Sequence, residues 1–133
     1  MVLPIDSNTE TNHGEGVAFV ALLKACAREK DLCKGTRLHD EILSKGLLEK
    51  TPYLPSSLIN MYAKCGVMLK AHQVLEGLAI RDVISWNALI GGYVQCKQGH
   101  EALNCFERMK SERLSPNSVT FMSVLKACSL VAD

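Results

Sequence analysis

Cysteine and histidine are the residues of this chain whose side chains could bind a metal ion, form a disulfide or act as nucleophiles. A zinc site or a redox pair needs ligands at short spacings such as C-x-x-C, and no two cysteines stand at that spacing. No histidine stands at a ligand spacing from them either. We therefore expect small buried cysteines, with no metal, no cofactor and no catalysis. The six cysteines are Cys26, Cys33, Cys65, Cys96, Cys105 and Cys128.

A second group of polar side chains stands at or just before the starts of predicted helices. Asp82 and Asn117 precede such starts, and Ser56 and Asn87 lie in first turns. Side chains of these types accept hydrogen bonds from free backbone N–H groups or bond to neighbouring backbone. Taken alone, their positions favour helix capping.

These residues are positioned by amphipathic helices, whose apolar residues recur at i, i+3, i+4 and i+7. The clearest segment, residues 83–117, predicts two helices at 84–96 and 100–111 with a turn at 97–99. Two such short helices cannot bury their apolar faces alone. The same periodicity predicts further helices at 17–27, 32–44, 53–64, 68–78 and 118–133. Asp31 is expected to cap the second helix and Gly46 to end it.

The helices form an internal repeat, which is detected by shifting the sequence against itself. The equivalent segments ALLKAC, SLINMY, ALIGGY and SVLKAC are offset by 36, 31 and 35 residues. The second helices repeat with the same offsets. The repeated pattern in each second helix starts with a small residue (Gly35, Ala71 or Ala102), and larger apolar residues follow three, four and seven positions later. We expect the small residue to let the paired helix approach closely, so that stacked hairpins build one core.

Length and composition set the outer limits of the interpretation. A chain of 133 residues with 47% hydrophobic residues predicts one domain with an aliphatic core. No apolar run is long enough for a membrane span. The net charge of +1 neither requires nor excludes a nucleic-acid partner. Residues 1–15 are polar and turn-rich, so we expect a flexible segment without a recognisable targeting peptide. Residues 118–133 supply a first helix only, which predicts a fragment of a longer array.

The motifs WNALIGGYVQ, EALNCFERMK and LSPN resemble the pentatricopeptide repeat (PPR) family. LINMYAKCG at 58–66 and the segment 22–46 are similar to the short and long repeats of its plant type, in which long, short and standard repeats alternate. On this resemblance the array spans 16–133. Its units are a long repeat at 16–51, a short repeat at 52–82, a standard repeat at 83–117 and a partial long repeat at 118–133.

The resemblance implies an all-α solenoid of helix-turn-helix repeats that forms a right-handed superhelix. It also implies sequence-specific binding of single-stranded RNA, one base per repeat, in a mitochondrion or chloroplast. In the family, the fifth and last residues of a repeat read the base, and the second residue wedges against it. Such reading is chemically reasonable because unstacked bases expose their hydrogen-bonding edges.

Carried over to this chain, the resemblance gives base-reading pairs for two repeats. In the standard repeat Asn87 and Asn117 read the base and Ile84 is the wedge, a combination similar to that for pyrimidines, with cytosine slightly ahead of uracil. In the short repeat Ser56 and Asp82 read the base and Tyr53 is the wedge, similar to the guanine combination. The long repeat departs from the pattern, since its fifth residue is Val20, which cannot hydrogen-bond a base.

Other partners and an alternative function accompany this hypothesis. Four lysines could contact phosphates, although they could equally be ordinary solvated residues: Lys24, Lys64, Lys97 and Lys126. Organelle RNA-processing or editing factors are further candidate partners. The alternative is a helical-repeat scaffold for protein–protein contact, with a homodimer through the exposed terminal helix and no RNA binding of its own.

Overall fold

The computed structural model describes the backbone of residues 5–132 and the side chains of residues 14–132. Seven α-helices and no strands make up the part of the chain that it describes. The first helices of the hairpins are α1 (Ile5–Glu29), α3 (Leu54–Lys64), α5 (Val83–Gln95) and α7 (Ser118–Val131). The second helices are α2 (Leu32–Ser44), α4 (Met68–Glu76) and α6 (Gly99–Ser111). The expected all-α class and helical-hairpin order are confirmed.

The helices form two layers. The first helices contact one another in the order α1, α3, α5, α7 and make a continuous layer, called here the first-helix layer. Each second helix lies over its own first helix and the next one, so that α4, for example, contacts α3 and α5. Within residues 5–132 no second helix contacts another second helix. This is the arrangement of an α-solenoid, in which each unit is stabilised by its neighbours. The right-handed sense of the superhelix stays a prediction.

Local sequence explains most of the helix ends. Asp31 accepts a hydrogen bond from the Lys34 backbone N–H at 3.1 Å, which confirms it as the N-cap of α2. Gly46 and Gly66 follow α2 and α3 with φ of 65° and 80°, values that glycine adopts without steric cost. Pro55 lies in the first turn of α3, where its missing N–H costs nothing.

The first helix is the main difference from the predicted boundaries. It begins at Ile5, twelve residues before the predicted start at Val17. Residues without apolar periodicity can extend a helix once a packed part has nucleated it, because each added residue gains a backbone bond. No proline lies between Pro4 and Val17, so none interrupts this extension. Residues 1–4 lie outside the described residues, and the flexibility of 1–15 stays a prediction.

The core runs along the interface between the layers. Its largest fully buried side chains include Trp86 and Tyr62 from first helices and Ile42 and Leu75 from the second-helix layer. The small residues Gly35, Ala71 and Ala102 are all buried, as expected. Gly35, however, closely approaches Met61 of α3, so its close neighbour is the first helix of the next repeat rather than its own partner helix.

None of the helices within residues 5–132 combines the length and apolarity needed to cross a bilayer.

Candidate nucleic-acid interface

The first-helix layer carries one exposed apolar side chain at the second position of every repeat. Val17, Tyr53, Ile84 and Val119 are 51%, 61%, 42% and 54% exposed. Burial would be the normal outcome for side chains of this kind, so four exposed ones at equivalent positions mark a surface of defined chemistry. Tyr53 is also the N-cap of α3 and has φ of 67°, a left-handed conformation that is uncommon for a residue other than glycine. This conformation is why α3 starts at Leu54 and not at Tyr53.

Five of the six predicted wedge and base-reading residues line a groove and a neighbouring cavity, and the sixth, Asn117, bonds to Asn87 of that groove. A groove of about 350 Å³ between α3 and α5 is lined by Tyr53, Ser56, Ile84 and Asn87, among others. A neighbouring cavity of about 280 Å³ shares Tyr53, Ser56 and Ile84 and adds Asp82. The structure therefore brings together side chains from successive repeats that the sequence separates by about thirty positions.

In the standard repeat the two asparagines bind each other. The Asn87 Nδ2 donates to Asn117 Oδ1 at 3.0 Å. Asn117 is at the same time the N-cap of α7, since its Oδ1 accepts the Thr120 backbone N–H at 3.1 Å. Thr120 completes a capping box, with its Oγ1 accepting the Asn117 backbone N–H at 3.1 Å. The capping interpretation is thus confirmed for Asn117, while Asn87 bonds to side chains and not to backbone.

Thr120 is a neighbour of the candidate residues that the sequence analysis missed. It is fully buried, and its hydroxyl lies 2.6 Å from Asn87 Oδ1. It belongs to the repeat that follows Asn87, so a search confined to one repeat passes over it. The capping-box spacing, a polar residue three positions after the N-cap, was the signal that could have found it.

In the short repeat the candidate residues are held by backbone rather than by each other. Asp82 caps α5, with its Oδ1 accepting the Ser85 backbone N–H at 2.8 Å. The Ser56 hydroxyl donates to the Tyr53 carbonyl oxygen at 3.0 Å. The capping interpretation is confirmed for Asp82. The carboxylate has two oxygens, and the one not used by the cap adds an acceptor to the shared cavity.

The long repeat presents no comparable pair. Thr51, its last residue, is buried, and its side chain lies so close to Gly16 that no larger residue fits there. Val20, its fifth residue, is partly buried and packs against the core. This repeat therefore offers an apolar surface with Val17 and no hydrogen-bonding edge, as the sequence indicated.

Basic side chains surround two further cavities on the first-helix layer. Lys24, Arg28, Lys30 and Lys64 line one of about 420 Å³ together with the Asn60 amide. Lys97 and Lys126 line another of about 420 Å³, whose remaining walls are largely apolar. All four lysines predicted as phosphate contacts are among these six residues. Clustered cations of this kind attract a polyanion over a distance set by the ionic strength.

Two acidic residues fix the helix that carries Asn87. Glu112 accepts the Trp86 indole N–H at 3.0 Å and the Arg81 Nε at 2.9 Å. The Arg81 guanidinium holds the pKa of the Glu112 carboxyl below its ordinary value. The Arg108 guanidinium lies 5.3 Å from the centre of the buried Trp86 ring and binds Glu76. That bond lowers the pKa of Glu76 in the same way.

The cysteines are less uniform than expected. Cys26 and Cys105 are buried, and burial raises the pKa of the Cys105 thiol to about 12. Cys33 and Cys128 are exposed, so the expectation of buried cysteines is wrong for these two. Cys33 lies on the solvent side of α2, and Cys128 lies on the face of α7 that no later helix covers within the described residues. Among residues 14–132, His, Cys, Asp and Glu side chains form no cluster of three with metal-site geometry.

Comparison with known proteins places this geometry in context. A mitochondrial pentatricopeptide repeat-containing protein of Arabidopsis thaliana is 40% identical over 129 residues, which are 97% of this chain and 16% of that protein. The chloroplastic pentatricopeptide repeat-containing protein CRR2 of Arabidopsis thaliana is 39% identical over 91% of this chain and 18% of its own length. The chain therefore spans less than a fifth of these relatives.

A solved structure and two repeat models agree with these relatives. The crystal structure of the pentatricopeptide repeat protein PPR10 in complex with an 18-nt psaJ RNA element is similar, with a TM-score of 0.72 and 28% identity. The match covers 85% of this chain and 17% of that one. Residues 81–129 match the PPR repeat family and residues 55–79 match the PPR repeat, together more than half of the chain. Its residues, its hairpin stacking and these matches show that the chain belongs to the pentatricopeptide repeat family.

Proposed function

We propose that this chain binds single-stranded RNA on its first-helix layer, as the base-reading segment of an organelle RNA-processing protein. The observation that carries the proposal is the groove between α3 and α5. It places an exposed apolar side chain, Ile84, beside a hydrogen-bonding pair, Asn87 and Asn117, at the surface of a continuous helical layer. An apolar contact for the base plane and polar groups for its edge are what recognition of an unstacked base requires.

The proposed register is one base per repeat. Successive first helices present Tyr53 and Ile84 at equivalent places, so two bases could be held by neighbouring apolar contacts. The short repeat offers the Asp82 carboxylate, an acceptor that suits the N–H groups of guanine. The standard repeat offers the two asparagine amides, which suit a pyrimidine. The expected core sequence, read 5′ to 3′, is any base, then guanine, then cytosine or uracil.

The comparisons support the class of ligand and the compartment. PPR10 was crystallised in complex with an RNA element, and it shares the fold over most of this chain. The curated relatives are named as mitochondrial or chloroplastic proteins. We therefore assign this chain to a mitochondrion or chloroplast, with other RNA-processing or editing factors as further partners. Base recognition by these amides and carboxylates involves no catalytic step. The scaffold alternative, without RNA binding, has no comparable support.

Fluorescence anisotropy with labelled single-stranded RNA tests the proposal. The RNAs differ only at a central guanine–pyrimidine step and are titrated at two salt concentrations. Because this chain offers few phosphate contacts, we expect a Kd of roughly micromolar or weaker at physiological salt. Asn87→Ala should abolish the preference at the pyrimidine, and Asn117→Asp should move it towards uracil. Binding that falls with salt but ignores sequence would contradict base reading.

A second contact, between proteins, is favoured by α7. Phe121 and Leu125 are 51% and 70% exposed, whereas their equivalents in α5, Trp86 and Ile90, are fully buried beneath α6 and α7. The exposed face therefore has the composition of a helix-packing surface. We propose that α7 can pair with a second copy of the chain when no further helix covers it.

A further inference from the structure

We infer that Thr120 determines which pyrimidine the standard repeat selects. The geometry points to a Thr120 hydroxyl that binds the Asn87 carbonyl oxygen while the Thr120 backbone N–H binds that of Asn117, so that N–H donors of the two amides are left for the base. This arrangement favours cytosine over uracil. The inference rests on the proposed RNA binding and assigns a specificity role to a residue outside the repeat that it serves.

The orientation of the Asn117 amide follows from a backbone group. The Thr120 backbone N–H can only donate, so the Asn117 side-chain atom 3.1 Å from it must be the oxygen. This bond belongs to the N-cap of α7, which is present whether or not RNA is bound. The two N–H groups of Asn117 Nδ2 therefore point away from the cap, and Asn117 is exposed to solvent there.

The Asn87 amide is oriented in turn. Its atom facing Asn117 Oδ1 at 3.0 Å must be a donor, because that oxygen is an acceptor, and is therefore Nδ2. Its own Oδ1 then faces the Thr120 hydroxyl at 2.6 Å and accepts the single hydroxyl proton. The Thr120 oxygen meanwhile accepts the Asn117 backbone N–H at 3.1 Å. Thr120 is 0% exposed, so no solvent competes for these bonds.

In this network both carbonyl oxygens already accept hydrogen bonds, whereas three amide N–H groups have no partner within residues 14–132. They are the two N–H groups of Asn117 Nδ2 and the second N–H group of Asn87 Nδ2. Cytosine offers two acceptors, N3 and O2, at the part of its edge where uracil carries an N3–H donor. Cytosine can therefore accept from these donors at two adjacent atoms, whereas uracil, which accepts at O2 and O4, places its N3–H between them and against a donor. A site built to hydrogen-bond one partner discriminates strongly against another that leaves its groups unpaired.

The short repeat shows that this constraint is local. Ser85 is the counterpart of Thr120 and supplies the same backbone cap, to Asp82. The residue at its fifth position, Ser56, bonds to the Tyr53 carbonyl oxygen rather than to Asp82. The short repeat therefore keeps a free carboxylate oxygen, an acceptor, where the standard repeat keeps donors.

Nuclear magnetic resonance of the ¹⁵N-labelled chain tests the inference, because side-chain amide signals report weak binding directly. The chain is titrated with the RNA pentamers AAGCA and AAGUA, and the ratio of their Kd values is the readout. We expect a ratio of about fivefold in favour of cytosine, the effect of one hydrogen bond. Thr120→Val keeps the shape and the backbone N–H that binds Asn117 but removes the hydroxyl. Asn87 Oδ1 then loses its donor and is free to accept the uracil N3–H, so the ratio should fall to about one. Thr120→Ser, which keeps the hydroxyl, should restore it.

The outcomes separate this inference from the function on which it rests. A cytosine preference that persists in Thr120→Val overturns the role of Thr120 and leaves RNA binding intact. Equal affinity for both pentamers in the unmodified chain does the same. Absence of binding to either RNA at millimolar concentration overturns the proposed function itself. If Thr120→Val fails to fold, as its amide spectrum would show, Thr120→Ala removes the same hydroxyl without adding bulk.

Discussion

At the scale of single residues, Asp82 caps α5 and is also proposed to read a base, and experiment can separate these two roles. One carboxylate oxygen accepts the Ser85 backbone N–H and caps α5, and the other faces the cavity beside Tyr53. The same double use holds for Asn117 at the start of α7. A cap fixes the side chain near the helix axis, and this fixed position is what makes it suitable for recognition. The proposed base recognition therefore needs no further loss of side-chain freedom at these positions, because the cap already fixes both side chains.

We predict that Asp82→Ala lowers the free energy of unfolding by about 1 kcal/mol, the usual effect of losing an N-cap. Asp82→Asn keeps an oxygen for the Ser85 N–H and should lose much less. Urea denaturation followed by circular dichroism measures both. Equal losses in the two variants would contradict the cap as the source of the effect. RNA binding tests the other proposed role of this residue. Asp82→Asn keeps the cap, but it should still weaken the preference for guanine.

Glu112 is the residue whose charge should matter most for stability. Arg81 holds the pKa of this carboxyl below its ordinary value of about 4.5. The carboxylate therefore stabilises the fold fully above that pH, and the contribution is lost as the pH falls through the lowered pKa. We expect Glu112→Gln to cost about 1–2 kcal/mol at pH 7, as for hydrogen bonds to charged groups.

The pH dependence supplies the check on this prediction. Denaturation at pH 7 and near pH 3 should show the difference between Glu112→Gln and the unmodified chain shrinking at the lower pH. Glu107→Gln is the control, because Glu107 forms an exposed pair with Lys110 on the same helix. Its effect should stay below about 0.5 kcal/mol. A Glu112→Gln cost that does not depend on pH would argue against the ion pair.

At the scale of helices, two adjacent glycines in α5 make opposite predictions. A methyl group added at Gly92 would lie 2.8 Å from the Ala63 Cβ and 3.2 Å from Met68. One added at Gly91 would meet only the Ser123 hydroxyl, at 3.9 Å. Gly92 therefore sets how closely α3, α4 and α5 pack, whereas Gly91 does not.

We predict that Gly92→Ala destabilises the chain by about 1–3 kcal/mol through overpacking. Gly91→Ala should instead stabilise it by about 0.5–1 kcal/mol, because alanine favours a helix over glycine. Thermal unfolding of the two variants, which differ by one position in the same helix, makes the comparison direct. Similar shifts in the two Tm values would contradict the packing difference.

Helices were the part of the structure that the sequence predicted best. Periodicity predicted both ends of α2, Leu32 and Ser44, and the ends of the later helices to within one or two residues. The start of α1 was wrong because periodicity reports burial, and residues without apolar periodicity can still extend a helix that a packed part has nucleated. For the cavity beside Asp82, the sequence predicted candidate residues but not that they line a common cavity. The Thr120 bond was not predicted, because it depends on how one repeat stacks on the next.

At the scale of the whole molecule, α7 is the last helix of the layer within residues 5–132, and no helix in that range packs against its far side. Leu125, at 70%, is the most exposed large apolar side chain of α7. We predict that the chain self-associates with rising concentration and that Leu125→Glu prevents this without lowering stability. Sedimentation analysis at several concentrations measures the mass. A monomer at all concentrations would contradict pairing through α7, and a variant that unfolds would place Leu125 in the core.

The hydrogen bond from Thr120 to Asn87 also affects which residues must be transferred together when a repeat is moved into another array. A sequence cut at 117/118 follows the repeat boundary but leaves behind the hydroxyl that orients the amide of Asn87. A segment transplanted into another array would then inherit whatever side chain the host supplies at that place, and its base preference would shift with the host. Grafts that extend from 83 to 120 carry the complete reading unit. Libraries assembled from repeats should therefore overlap by three residues at each junction.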